Sequence, residues 1–188
     1  MELKKYTQEE FDAFPVVDGW KLCPMGDYSL IKSFGEWCSF GEGCSFGERC
    51  SFGEGCSFGE RCSFGKGCSF GERCSFGERC SFGERCSFGK GCSFGEWCSF
   101  GERCRFGKGC SCEFGKFQKL ATVGGFGSES RTTYFFLLND GGVSVRCGCF
   151  AGTLEEWESK VKETHGDSAF AKSYLLAGQA VRALWETR

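Results

Sequence analysis

Cysteine is the residue type of this chain with the most chemistry in reach. There are 17 cysteines, and thirteen of them recur every six residues from Cys38 to Cys110. Thiolates can ligate a soft metal, paired thiols can form a disulfide, and an activated thiolate can act as a nucleophile. A structural zinc site needs thiolates that converge, at spacings such as Cys-x2-Cys, and the uniform Cys-x5-Cys spacing lacks that pattern. Each of these cysteines also keeps company with a Phe, and an apolar interior disfavours the charged thiolate. The repeated cysteines are therefore read as inert packing thiols, with disulfide and metal ladders as the competing chemistries. No metal and no cofactor is expected.

Two further features carry potential chemistry. Cys147-Gly148-Cys149 lies in a segment, Val143 to Phe150, that reads as a strand. On a strand Val143, Val145, Cys147 and Cys149 share one face, so core packing is the expected role and a redox or metal pair the alternative. His165 is the single histidine and stands just before Gly166, where a helix is expected to end. A Cys-His catalytic pair would require the fold to bring the two together, and no spacing in the sequence does so.

The residues that must position these groups form thirteen consecutive hexads of the type Phe-Gly-Glu/Lys-X-Cys-Ser, from Phe34 to Ser111, with Arg105 in place of one Ser and no insertion between Phe34 and Phe106. A short fixed period signals a solenoid, because each unit can bury its apolar residues only against its neighbours. A helix would put Phe and Cys on one face, but thirteen glycines would each cost roughly 1 kcal/mol relative to Ala. A short strand and a turn suit the pattern better: Phe and Cys point inward, Gly permits the bend, and the remaining positions face water. After Ser111 the phase breaks, and Cys112 and Glu113 read as an insertion before Phe114-Gly115.

At these residues the chain resembles the hexapeptide-repeat proteins that fold as left-handed parallel β-helices. It departs from them in having Phe wherever that family carries an aliphatic residue, often Ile. The resemblance covers residues 34–111 and implies triangular coils of about 18 residues, built from three hexads. Phe34, Phe52, Phe70, Phe88 and Phe106 would then stack in one column, with Phe40 to Phe94 and Phe46 to Phe100 forming the other two. The same coil size puts Glu42, Glu60, Glu78 and Glu96 in one surface column, with Arg61 and Arg79 beside two of them to relieve the repulsion of like charges. Long Glu and Arg side chains next to the Ser columns would spoil a flat hydroxyl array for ice. Trp37 and Trp97 fall at the variable fourth position, which should face water, and each is a candidate anchor for a partner. Cap packing is an equally good account of Trp37.

The expected fold is thus a β-solenoid with a short N-terminal cap over residues 1–33, coils over 34–116, and a small α+β unit over 117–188. In the cap, Thr7-Gln8-Glu9-Glu10 has capping-box spacing ahead of Phe11, and Pro15 ends the helix. Val16 to Leu22 would form a turn and a strand into the first coil. In the C-terminal unit Thr132 to Leu138 reads as a buried strand, Asn139-Asp140-Gly141-Gly142 as a turn and Val143 to Phe150 as a second strand. Thr153 and Glu156 form another capping box, with Leu154, Trp157 and Val161 on one helical face. A second helix from about Ser168 to Trp185 places Phe170, Tyr174, Ala177, Val181 and Leu184 at helical spacing.

Charge narrows the function. The chain has a formal net charge of −2, and the ten Glu of residues 34–111 are balanced by three Lys and seven Arg. That balance argues against a nucleic-acid-binding surface and equally against an acidic DNA mimic. The polar stretch Met1 to Phe14 has no signal-peptide core, no run reaches the ~20 apolar residues of a membrane span, and the thiols suit a reducing compartment, so a cytoplasmic location without membrane or nucleic acid is expected. The family resemblance implies acyltransferase-like catalysis, which in that family uses a histidine in or near the coils. The related carbonic anhydrases use three metal-binding histidines. The coils here carry none. The flanks, including Leu22 to Tyr28 and Val145 to Phe150, weakly resemble uncharacterised proteins of gut bacteria and their phages. The favoured expectation is a non-catalytic structural or protein-binding solenoid, an accessory protein that binds a host factor or itself; the alternative is an acyltransferase-like enzyme.

Overall fold

Six residues are enough for a two-residue strand and one corner, and the repeat uses them that way throughout. The computed structural model describes residues 2–125 and 132–186. It opens with a helix, α1 (Gln8–Asp12), and a hairpin of β1 (Val16–Val17) and β2 (Trp20–Cys23). Strands β3 to β16 follow at six-residue intervals, from Ser33–Phe34 to Ser111–Cys112. Nearly all are Ser–Phe pairs. They pair in parallel with the strand three units on: Phe34 with Phe52, Phe40 with Phe58 and Phe46 with Phe64. The coil is therefore 18 residues long and three-sided. One side has strand order β15-β12-β9-β6-β3, a second β14-β11-β8-β5, and the third runs β1-β2-β4-β7-β10-β13-β16.

The interior is a lattice of rings. Within a column Phe52 and Phe70 lie 4.8 Å apart and 4° from parallel. Between columns Phe58 and Phe64 meet at 5.0 Å and 88°. Coil rise sets the first spacing, and the three-fold cross-section sets the second. Both arrangements suit the ring quadrupole, offset stacking along a column and edge-to-face contact across it. Each buried Phe contributes roughly 1.5–3 kcal/mol of transfer free energy.

The glycine of each unit is not where the chain bends. The left-handed conformation falls on the fourth position instead: Trp37, Arg49, Arg61, Arg73, Arg79, Arg85, Trp97 and Arg103 have φ of 56–61°, and Gly43, Gly55, Gly67, Gly91 and Gly109 have φ of 66–78°. The glycine at the second position is required by close approach. A Cβ on Gly71 would stand 2.6 Å from the amide nitrogen of Glu54 in the preceding coil. The corners are laddered as well, through bonds such as Arg61 N–H to the Glu78 carbonyl, 2.9 Å.

The phase also extends further than the sequence pattern suggests. Ser111 pairs in register with Ser93, so Cys112 stands where a Phe would be and is not inserted. At the other end Tyr28 is fully buried, stacked at 5.4 Å on Phe46, and Phe11 of α1 meets Phe34 edge-on at 5.2 Å. Thr7 closes the capping box of α1 with Glu10.

The chain divides into two compact units between Gly115 and Lys116. In the second, β17 (Gly115–Val123), β18 (Thr133–Leu138), β19 (Val143–Cys147) and β20 (Phe150–Thr153) make an antiparallel meander. Helices α2 (Leu154–His165) and α3 (Ala169–Glu186) follow. Residues 126–131 lie outside the described residues. The expected single strand from Val143 to Phe150 is in fact two, broken at Gly148, and β17 is a strand the sequence reading did not anticipate. Phe135, Val145, Leu154, Trp157, Val161, Ala171, Tyr174 and Val181 form the core of this unit. The apolar stripe of α3 is thus Ala171, Tyr174, Ala177 and Val181, while Phe170 and Leu184 are exposed. Among the described residues no helix is long and apolar enough to cross a membrane.

Candidate functional site

The thiol columns have a structural task that their spacing alone does not reveal. Each Sγ from Cys56 to Cys110 donates to the carbonyl of a glycine 21 residues earlier, at 3.3–3.5 Å. That glycine sits at the second position of the coil below. Cys is small enough for the Phe-filled interior and still carries a donor for this carbonyl, which neither Ala nor Val could supply. Competing sulfur bonds set the thiols of Cys68 and Cys86. The bond with Cys50 pulls Cys68 down but is outweighed by Cys86 and burial, and Cys86 is pushed up by Cys104 and by burial. Both end at about 11. Cys50 is likewise raised, by its bond to Cys68 and by burial. Burial works against a thiolate throughout this interior. All 17 cysteines are free thiols.

The exposed candidates lie along the three edges where the corners stack. Glu42, Glu60, Glu78 and Glu96 occupy the third position of one edge, linked by the ladder Gly43 to Glu60, Arg61 to Glu78 and Arg79 to Glu96. The fourth position of that same edge holds Gly43, Arg61, Arg79 and Trp97. The structure therefore brings Trp97 together with both arginines and all four glutamates, and all seven side chains are exposed. Trp37 belongs to a different edge. Its indole packs edge-on against Trp20 at 5.4 Å and covers Gly55, whose added Cβ would fall 2.7 Å from the ring. Trp37 is accounted for by the cap.

The three edges differ in how their charges are used. Arg73 pairs with Glu54 at 3.2 Å and Lys90 with Glu72 at 3.6 Å on the Trp37 edge, and Lys66 with Glu84 at 3.8 Å on the third. On the Trp97 edge the expected relief of the glutamates by Arg61 and Arg79 does not take the form of an ion pair among those described. Trp97 is 39% exposed with φ of 61°, a conformation costing a residue with a Cβ about 1–2 kcal/mol. Its N–H donates to the Glu113 carboxylate at 3.2 Å, where other corners use the next coil's carbonyl.

His165 stacks on Tyr174 at 5.6 Å at the end of α2, a packing position in the second unit. Cys147 and Cys149 differ in burial: Cys147 ends β19 and packs on the core, whereas Cys149 lies in the turn and is the one exposed cysteine of the chain. They do not share a strand face, because β19 ends at Cys147 and the chain turns at Gly148 (φ 58°). No family model, curated protein or solved structure matches this chain.

Proposed function

We propose that the chain is a non-catalytic binding protein. Its solenoid holds one edge, Trp97 with Arg61, Arg79, Glu42, Glu60, Glu78 and Glu96, as a rigid docking line for a protein partner. The observation that carries this reading is Trp97: a bulky aromatic held left-handed and as exposed as Trp37, but without the ring contact to Trp20 that accounts for Trp37. Exposed Trp and Arg are the side chains that most often anchor interfaces. The glutamates beside them, spaced by the coil rise of about 4.8 Å, favour a partner with an apolar pocket flanked by cations. The fixed backbone of the stack keeps the ordering cost of docking low. A reducing, cytoplasmic setting agrees with the free thiols.

A photo-crosslinking residue placed at position 97, and in a control at position 85 on another edge, tests the proposal in cells of the natural source. The expected result is one discrete adduct from position 97, absent from position 85 and lost in a Glu60→Lys/Glu78→Lys background. An adduct between two copies of the chain would identify the partner as itself. Absence of any adduct specific to position 97 sinks the reading. Acetyl-CoA calorimetry examines the acyltransferase alternative, which micromolar binding would favour.

A further inference from the structure

We infer that Cys147 and Cys149 form a redox-active dithiol that exchanges with low-molecular-weight disulfides, distinct from the packing thiols of the solenoid. Three observations on separate atoms lead there. The first is access. Cys149 alone among the 17 cysteines is exposed, and Cys147 beside it is partly so, whereas the solenoid thiols are nearly all buried. Thiol–disulfide exchange needs an accessible attacking sulfur.

The second is reach. Cys147 pairs with Phe150 across the hairpin, so Gly148-Cys149 is a two-residue turn, and the positive φ of Gly148 gives it the mirror-image geometry that closes such hairpins. Two residues span at most about 7 Å when extended, and the turn shortens this into the range of about 4.4–6.8 Å that a disulfide requires between α-carbons. The backbone needs no large movement. Gly148 supplies the freedom for the small ring, and rings of this kind stay reducible because they are strained and exposed.

The third is a buried donor that neither packing nor the strand ladder calls for. Thr133 is fully buried, and its hydroxyl donates to Cys147 Sγ at 3.1 Å from the register-matched position on β18. The contact fixes the position of the Cys147 sulfur from which it would attack.

The exchange balances as follows. Cys149 Sγ, as thiolate, attacks one sulfur of an oxidised disulfide such as oxidised glutathione; that S–S bond breaks and one glutathione thiolate leaves. Cys147 Sγ, held in place by Thr133, loses its proton, attacks Cys149 Sγ and expels the second glutathione thiolate. The two protons shed by the cysteines end on the two glutathione thiols. The protein is oxidised by two electrons and the external disulfide is reduced by two.

The experiment uses the full chain, equilibrated natively in glutathione buffers of stepped oxidised-to-reduced ratio, then alkylated and mapped by peptide mass. Expected is one intramolecular disulfide per chain, Cys147–Cys149, formed and reversed by the ratio while the solenoid cysteines stay dithiol. Cys147→Ser should stop at a mixed disulfide on Cys149, and Cys149→Ser should react at least tenfold more slowly. Thr133→Val should let the mixed disulfide accumulate severalfold before ring closure. A wild-type chain that remains dithiol at every ratio overturns the inference, as does one that takes glutathione separately on Cys147 and Cys149. Oxidation of solenoid cysteines ahead of this pair also overturns it. Should a variant fail to fold, the wild-type ratio series still decides.

Discussion

Cys74 shows why a residue of this type recurs. Its thiol lies in the Phe interior and donates to the Gly53 carbonyl at 3.3 Å, while Gly53 is Gly because a Cβ would lie 2.6 Å from the Glu36 nitrogen in the coil below. The two choices are coupled: close approach demands the glycine, and the cysteine satisfies that glycine's carbonyl. Cys74→Ala removes the donor and is expected to cost about 1–3 kcal/mol, the penalty for an unsatisfied buried acceptor. Cys74→Ser restores a donor at similar volume and should recover part of the loss. Urea unfolding followed by circular dichroism measures both, and a Ser variant no more stable than the Ala variant would show that the thiol acts only as filler. The inward direction of Cys and Phe was legible from their spacing. The carbonyl contact was not, because its partner is 21 residues away and appears only once coils stack.

At the scale of elements, local signals were read well where one short segment carries them. Thr153 accepts from the Glu156 amide while the Glu156 carboxylate accepts from the Thr153 amide, as the Thr-x-x-Glu spacing predicts. Thr153→Ala should therefore destabilise the second unit by about 1 kcal/mol, seen as a lower thermal midpoint with the solenoid transition unmoved. An unchanged midpoint would mean that packing of Leu154, Trp157 and Val161 holds α2 without its cap. Where two elements compete, the local signal misleads. The run from Val143 to Phe150 looks continuous because Cys-Gly-Cys is compatible with a strand, yet the antiparallel pairing of β19 with β20 makes Gly148 a turn. The α3 stripe holds at Tyr174, Ala177 and Val181 but not at its ends, where Phe170 and Leu184 are exposed and Ala171 is the buried member.

For the whole molecule, two of the buried thiols make stability fall at high pH. Cys68 and Cys86 titrate near 11 when folded, above the ordinary 9.0. Below pH 9 folded and unfolded chains alike hold these protons, and the contribution is fully present. As pH rises towards 11 the unfolded chain gives them up first, so stability falls by about 1.4 kcal/mol per pH unit for each such thiol. Tyr28, fully buried and also held above its usual value by burial, adds to the fall above pH 10. The urea midpoint of the solenoid should drop between pH 9 and pH 10.5. An equal midpoint at pH 7 and pH 10.5 would place the thiols in contact with solvent. Taken alone, the sequence determined the solenoid, its six-residue unit, its inward residues and the helix caps, because each rests on a period or on contacts within four residues. Tertiary structure decided the left-handed fourth position, the glycine–thiol contact, the edge that gathers Trp97 with its charges, and the split between Cys147 and Cys149. Each of these depends on which residue of another coil or strand comes to lie alongside, and that follows only when the chain has closed on itself.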